Sequence, residues 1–414
     1  MLRILKSGEI GRLLSRRASR LTEAEEAVRP ILDAIRKSGD KALLDYARRF
    51  DKFEGRTVRV PASALAAAAN KLTPEFRSAV EISAKNVRRF AEHQLPGEYT
   101  GTFPPGIQLG QIVRPLDTVG CYIPAGRYPL PSTLIMTAVP AQAAGVKNIC
   151  VACPKAVDEV YGAAHILGID QVFQMGGAQA IAAFAFGTKT VPRADRIVGP
   201  GNIYVAAAKK LLAGEVGIDF VAGPTEILII AAEGDPEFLA ADMLAQAEHD
   251  TDAGAVLLTT SKRLAVKVAN EIERQLSTLP TAGVARKAID KNSAAIIVRS
   301  LDQAADLSNA FAPEHLALHH PELLPKIRHA GSIFIGAYSP EAAGDYSSGP
   351  NHVLPTNGVA RLRGGLSAAD YVKVISTQQL DPRSLARLAP AITTLARAEG
   401  LEAHARSVEV RLAE

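Results

Sequence analysis

Three cysteines in 414 residues, an odd number, argue against a secreted disulfide scaffold. Cys150 and Cys153 do stand at Cys-x-x-Cys spacing, but a zinc ribbon needs a second such pair and the chain has none. Ile149-Cys150-Val151-Ala152-Cys153-Pro154 reads instead as a buried strand running into a turn. The chain has no run of about 18 apolar residues, so no membrane-spanning helix is expected. Residues 1–25 show no signal-peptide core, Leu13-Leu14 being flanked by Arg and Ser, and a cytoplasmic protein is expected. The net charge of +4 is small for this length, and no block of like charge marks a nucleic-acid stripe. Arg12, Arg16, Arg17 and Arg20 read as a solvated helix face. There is no internal repeat and no low-complexity segment. What remains is an ordinary globular composition, 47% hydrophobic and 22% charged, long enough for two or three domains.

The first hundred residues read as helical. Apolar positions recur at helical spacing over 23–37 and 41–50, and Thr22 with Glu25 fits a capping box. A further helix over 74–94 ends before Leu95-Pro96-Gly97. From residue 115 short apolar runs alternate with Ala-rich helical segments. Strands are expected at 118–123, 148–153, 171–175, 196–198, 226–231, 255–260, 294–298 and 332–335, with helices between them. Runs without polar alternation are what a parallel sheet covered on both faces requires. The pattern is α/β and doubly wound, in two units. It stops near residue 366, and 367–414 reads as a helical tail with one terminal apolar strip, Val408-Glu409-Val410.

Five features carry possible chemistry. No intact Gly-x-Gly-x-x-Gly follows a strand. Gly176-Gly177-Ala178-Gln179 and Gly199-Pro200-Gly201-Asn202 each sit at a strand-to-helix junction, where backbone N–H groups can face an anion, although tight turns need glycine regardless. Gln246 and His249 stand three apart on a helix and share one face, as half of a metal site or as a surface cap. Glu314-His315 in a loop offers an imidazole base beside a carboxylate able to activate water, although the dipeptide is common. The polar segment 344–352, carrying Asp345 and His352, reads as a long loop of the kind that tends to be functional. His404 lies in otherwise plain tail helix. His93, His165, His319, His320 and His329 fall outside these motifs, with His319-His320 read as a strand end.

Taken together and in order, these segments resemble the histidinol dehydrogenase family from about residue 25 to the tail. The resemblance is carried by Tyr122-Ile123-Pro124-Ala125-Gly126, Gly176-Gly177-Ala178-Gln179-Ala180, Gly199-Pro200-Gly201-Asn202 and Ala222-Gly223-Pro224-Thr225-Glu226. It continues through Gln246-Ala247-Glu248-His249, Ala312-Pro313-Glu314-His315-Leu316, and Gly344-Asp345-Tyr346 followed by Asn351-His352-Val353-Leu354-Pro355-Thr356. It implies oxidation of L-histidinol through the aldehyde to L-histidine, with two NAD and one zinc ion per site. It implies zinc ligands Gln246, His249, Asp345 and His404, and a catalytic pair in which His315 is the base and Glu314 activates water. Substrate contacts map to Ser132, Thr225, His352 and Glu399 besides His315 and the four zinc ligands, and NAD contacts to Tyr122, Gln179 and Asn202. Thr225 stands where many members carry Ser, and Ala125 where a second glycine is frequent.

The resemblance also implies two incomplete Rossmann-like units and a homodimer whose tail donates Glu399 and His404 to the partner. The corresponding division is a helical segment 1–25, a catalytic domain 26–120 plus 225–366, an NAD-binding domain 121–224 and a tail 367–414. Two other readings remain open here. One is a same-fold NAD dehydrogenase for another small alcohol such as a sulfonated diol, for which Arg127 would meet the anion. The other is a non-catalytic metal- or nucleotide-binding relative.

Overall fold

The computed structural model describes residues 2–9, 21–104, 106–124, 129–155 and 157–412. Arg12, Arg16, Arg17, Arg20 and the segment Ala125–Tyr128 lie outside the described residues. In chain order the strands are β1 (Arg3–Lys6), β2 (Tyr99–Phe103), β3 (Ile107–Pro115), β4 (Thr118–Tyr122), β5 (Asn148–Ala152), β6 (Gln171–Phe173), β7 (Arg196–Val198) and β8 (Gly217–Ile218). They continue as β9 (Glu226–Ile230), β10 (Gly254–Thr259), β11 (Ala294–Ile297), β12 (His315–Leu318), β13 (Ser332–Ile335) and β14 (Val372–Gln379).

The apolar runs become two parallel sheets. One has the order β6-β5-β4-β7-β8 and the other β1-β11-β10-β9-β12-β13. β4 is central to the first, with β5 and β6 added on one side and β7 and β8 on the other. β9 plays the same part in the second, with β10 and β11 on one side and β12 and β13 on the other. The winding therefore reverses beside β4 in one sheet and beside β9 in the other, which makes a topological switch point in each.

Both faces of the second sheet are covered. Ile227, Ile229 and Leu257 pack with Leu239, Met243, Val268 and Ile272, while Leu228, Ile230, Val256 and Leu258 pack with Phe311 and Leu323. Each fully buried Leu or Ile side chain contributes about 1.5–3 kcal/mol of transfer free energy, so the unalternated runs are stable only in this two-sided setting. The cysteine pair behaves as the flanking residues suggest. Cys150 lies in β5, Cys153 just beyond it, and both are free, buried thiols.

Several expectations need correction. The helices over 21–93 do not join the later sheet. Val28, Leu32, Ile35 and Leu43 pack with Ile181, Phe184 and Ile197 of the first sheet's layer, because their apolar stripes meet the Ala-rich helices Gly177–Phe186 and Ile203–Leu212. Only β1 joins the second sheet, parallel to β11, so residues 3–6 are strand where helix was expected. The first long helix spans Leu21–Ser38 and already contains Thr22, which is therefore not its cap. The Ala-rich helix Ala62–Lys71 was not anticipated.

Leu95–Leu116 and the residues from Val372 onward form a separate unit. Its antiparallel sheet, β14-β3-β2, is followed by the helices Pro382–Ala398 and Glu402–Glu409. The tail is thus not wholly helical: Val372–Gln379 pairs residue for residue with β3, and Val408-Glu409-Val410 belongs to a helix end. Among its described side chains little apolar material is buried, while Tyr99, Val374, Ile375, Leu395 and Val410 are exposed.

Candidate active site

The chemistry-bearing residues of the second sheet collect at the amino ends of β9 and β12. His315 opens β12 rather than lying in a loop, and Glu314 directly precedes it. Backbone pairing to β9 turns both side chains toward Thr225 and Glu226. Glu314 Oε2 accepts hydrogen bonds from Thr225 Oγ1 (2.5 Å) and the Glu226 N–H (2.8 Å). His315 Nδ1 lies 3.2 Å from the Glu226 carbonyl. A carbonyl only accepts, so Nδ1 carries a hydrogen, and in the neutral ring Nε2 holds the lone pair. That Nε2 is buried, has no hydrogen-bond partner, and stands 3.6 Å from Asp345 Oδ1. Burial opposes the imidazolium, but the Glu314 and Asp345 carboxylates outweigh it and push His315 up to about 10. Burial raises the Glu314 carboxyl, and the charge of His315 only partly offsets it.

Gln246 lies in the last turn of the helix Pro236–Ala247, and His249 follows just past its cap. Gln246 Nε2 donates to Thr225 Oγ1 at 2.7 Å, so the amide is oriented and its Oε1 is left buried without a partner. Thr225 therefore links Gln246 to Glu314 by one hydroxyl. His249 Nδ1 meets the Ala245 carbonyl at 3.0 Å, which leaves Nε2 as the free lone pair. Asp345 lies on a short helix, Glu341–Tyr346, rather than in the long loop expected from sequence. Burial works against its charge, yet His315, His352 and His249 together hold it below the usual carboxylate range. An orphaned amide oxygen, an imidazole nitrogen and a carboxylate form a donor set that suits zinc. Among the described residues no three His, Cys, Asp or Glu side chains close into a metal cluster. Of the residues that the resemblance assigns to zinc, this unit contains two of those types, His249 and Asp345, beside the amide of Gln246.

His352 is half-buried and clamped at both nitrogens. Nδ1 donates to the Asp345 carbonyl (2.8 Å), and Nε2 meets Thr133 Oγ1 (3.1 Å). Burial lowers its pKa, so the ring is neutral at neutral pH. Thr133 and the buried Ser132 open the helix Pro131–Ala143, which follows β4. One residue escaped the sequence reading. Glu341 is 2% exposed, and neither carboxylate oxygen has a partner. Burial pushes it well above the usual carboxylate range, opposed by the charge of His315 and reinforced by Asp345, Asp242 and Glu314. It stands four residues before Asp345 on the same short helix, a spacing that carries no signal until burial is known.

The residues mapped to NAD gather at the carboxyl ends of the first sheet. Tyr122 ends β4, Gln179 lies in the first turn after β6, and Asn202 follows β7. In the first glycine turn two amides are already engaged. The Gly176 N–H donates to Asp51 Oδ2 and the Gly177 N–H to the Tyr122 hydroxyl. Gln179 Nε2 also donates to Asp51 Oδ2. Asn202 Oδ1 caps its own helix by accepting from the Tyr204 and Val205 N–H groups. Asp51, at the end of the helix Asp40–Asp51, was not anticipated here.

A profile of the family described as Histidinol dehydrogenase matches residues 14–412. A histidinol dehydrogenase from Geobacter sulfurreducens is 46% identical over 415 residues, covering 98% of this chain and 97% of that one. One from Gluconobacter oxydans is 44% identical, covering 98% and 97%. The chain belongs to the histidinol dehydrogenase family. The crystal structure of histidinol dehydrogenase from Elizabethkingia anophelis superposes with a TM-score of 0.93 at 36% identity, covering 99% of this chain and 98% of that one. An acetylating aldehyde dehydrogenase from Geobacillus thermoglucosidasius, at 13% identity and a TM-score of 0.52, shares only the fold.

Of the residues that the resemblance to histidinol dehydrogenases singles out, Thr225, Gln246, Glu314, His315, Asp345 and His352 are joined by the contacts above. Glu399 and His404 belong to the second unit, where both are exposed. His319 and His320 follow the end of β12, with His320 Nε2 accepting from the Ala232 N–H. Among the described residues no helix is long and apolar enough to cross a membrane.

Proposed function

We propose that this protein oxidises L-histidinol to L-histidine in two successive dehydrogenations at one site. The reading rests above all on the buried, unpartnered Nε2 of His315, whose tautomer is set by the Glu226 carbonyl. In the first step Nε2 takes the alcohol proton as the hydride departs. Glu314 then directs water onto the resulting aldehyde, and His315 takes the proton of the hydrate as the second hydride departs. NAD is the hydride acceptor in each step, and Tyr122, Gln179 and Asn202 are its proposed contacts. Gln246, His249, Asp345 and His404 of the partner subunit are proposed to hold zinc. The ion would orient the substrate and, by engaging Asp345, withdraw one of the carboxylates that keep His315 protonated.

Ser132, Thr225, His352 and Glu399 of the partner subunit complete the proposed substrate pocket. The carboxylates Glu314 and Asp345 favour a cationic amino alcohol. They disfavour a sulfonated diol, whose anion they would repel. A homodimer fits the second unit, where Tyr99, Val374, Ile375, Leu395 and Val410 are exposed and available to a partner. A cytoplasmic setting fits three free thiols. The test is NADH formation by the zinc-loaded protein with L-histidinol, with and without a chelator, beside dihydroxypropanesulfonate. Chelator-sensitive turnover of histidinol is expected, and turnover of the sulfonate alone would end this reading.

A further inference from the structure

The turn after β7 is gripped by an ion pair that takes no part in the chemistry above. Lys209 Nζ lies 2.7 Å from Asp219 Oδ1, with the two side chains 3% and 0% exposed. Lys209 Nζ also donates to the Gly199 carbonyl (2.5 Å), and Asp219 Oδ2 accepts the Gly199 N–H (2.8 Å). Asp219 Oδ1 accepts the Phe220 N–H as well. The N–H and the C=O of one residue are therefore held by opposite charges. Gly199 has φ +111°, and a Cβ there would lie 2.2 Å from the Tyr122 carbonyl oxygen. The turn cannot shift toward β4, and the ion pair stops it from shifting away.

Burying two charges costs desolvation that a well-packed apolar pair avoids, so stability alone does not account for Lys209 and Asp219. What they hold in place is informative. Gly199 lies between Tyr122 and Asn202, at the switch point where β4 and β7 are neighbours. Lys209 belongs to the helix Ile203–Leu212 that Asn202 caps, and Asp219 follows β8. The pair thus ties the helix and the segment after β8 to one turn. We infer that Lys209 and Asp219 are positioning residues that fix the Gly199–Asn202 turn and Tyr122 for the dinucleotide. The inference rests on the reading of Tyr122 and Asn202 as NAD contacts.

The experiment compares wild type, Lys209→Met with Asp219→Leu, and Asn202→Ala, all zinc-loaded. NADH affinity is read by fluorescence titration without substrate, alongside Tm and the KM and kcat for each substrate. The double variant leaves no unpaired buried charge but orphans the Gly199 N–H and carbonyl and the Phe220 N–H, so its Tm is expected to fall by a few degrees while the protein stays folded. Its NADH affinity is expected to fall about tenfold, with KM for NAD rising in step and kcat and KM for histidinol within about twofold. Should that variant fail to fold, Lys209→Gln with Asp219→Asn keeps neutral hydrogen bonding, and its NADH affinity is expected to fall about threefold. Unchanged NADH affinity in the folded double variant, with Asn202→Ala impaired, overturns the positioning role alone. Unchanged affinity in both overturns it together with the NAD contacts.

Discussion

The two parallel sheets share one winding pattern and use opposite edges. Around β4 the residues assigned to NAD lie where strands end: Tyr122 closes β4, and Gln179 and Asn202 open the helices that follow β6 and β7. That is the expected place for a ligand in an open α/β sheet. Around β9 the chemistry lies where strands begin. His315 and Glu226 are the first residues of β12 and β9, and Glu314 is tied down by the Glu226 N–H. The switch-point rule therefore locates the nucleotide half but not the catalytic half. In the catalytic half the strands serve as a rigid frame, and the short helix Glu341–Tyr346 brings the third carboxylate against it.

Mutations that damage one half and spare the other break this comparison. The largest effect is expected from His315→Ala, which removes the proton acceptor. Turnover should fall about a hundred- to ten-thousandfold while NADH affinity and zinc content hold. Retained turnover would remove His315 from the role given it. Thr225→Val deletes the hydroxyl that orients both Gln246 and Glu314. Zinc affinity, measured by competition with a chromophoric chelator, should weaken about ten- to hundredfold with NADH affinity unchanged.

The nucleotide half is probed by Gly199→Ala. Its φ of +111° and the 2.2 Å approach to the Tyr122 carbonyl should impose strain of about 1–3 kcal/mol. A lower Tm and weaker NADH binding, with zinc affinity intact, are expected. The smallest effect concerns pH. Burial raises the Asp242 carboxyl from 3.8 to about 6. The folded chain thus binds this proton more tightly than the unfolded one, so stability falls as pH rises from about 4 to 6. Asp242→Asn should match wild type below that window and exceed it above, as read by Tm against pH.

The sequence made the parallel strands legible because buried strands there are unbroken apolar runs, as in Glu226–Ile230. It hid the antiparallel sheet because β14 is half-exposed to exposed along its length and so lacks a buried face to mark it. β12 was hidden because a strand that begins with His315 after Pro313-Glu314 reads as a polar turn. In the site, Gln246 and His249 stood out by their spacing, whereas the role proposed for Asp345 came only through the resemblance to histidinol dehydrogenases. Glu341 did not stand out, since an isolated glutamate after proline carries no signal until its burial is known. Asp51 and the Lys209–Asp219 pair were missed for the same reason: their meaning lies in long-range hydrogen bonds to glycine amides.

The central claim is that the site is completed by His404 of the partner subunit, and subunit complementation tests it most directly. His404→Ala and His315→Ala proteins, each inactive alone, are mixed, unfolded, refolded together and assayed with L-histidinol. Half of the dimers formed at random are hybrids, and each hybrid contains one site with both histidines if the tail crosses over. Recovery of about a quarter of wild-type activity is therefore expected. A refolded mixture of dimers with no more activity than its separate components would contradict the shared site.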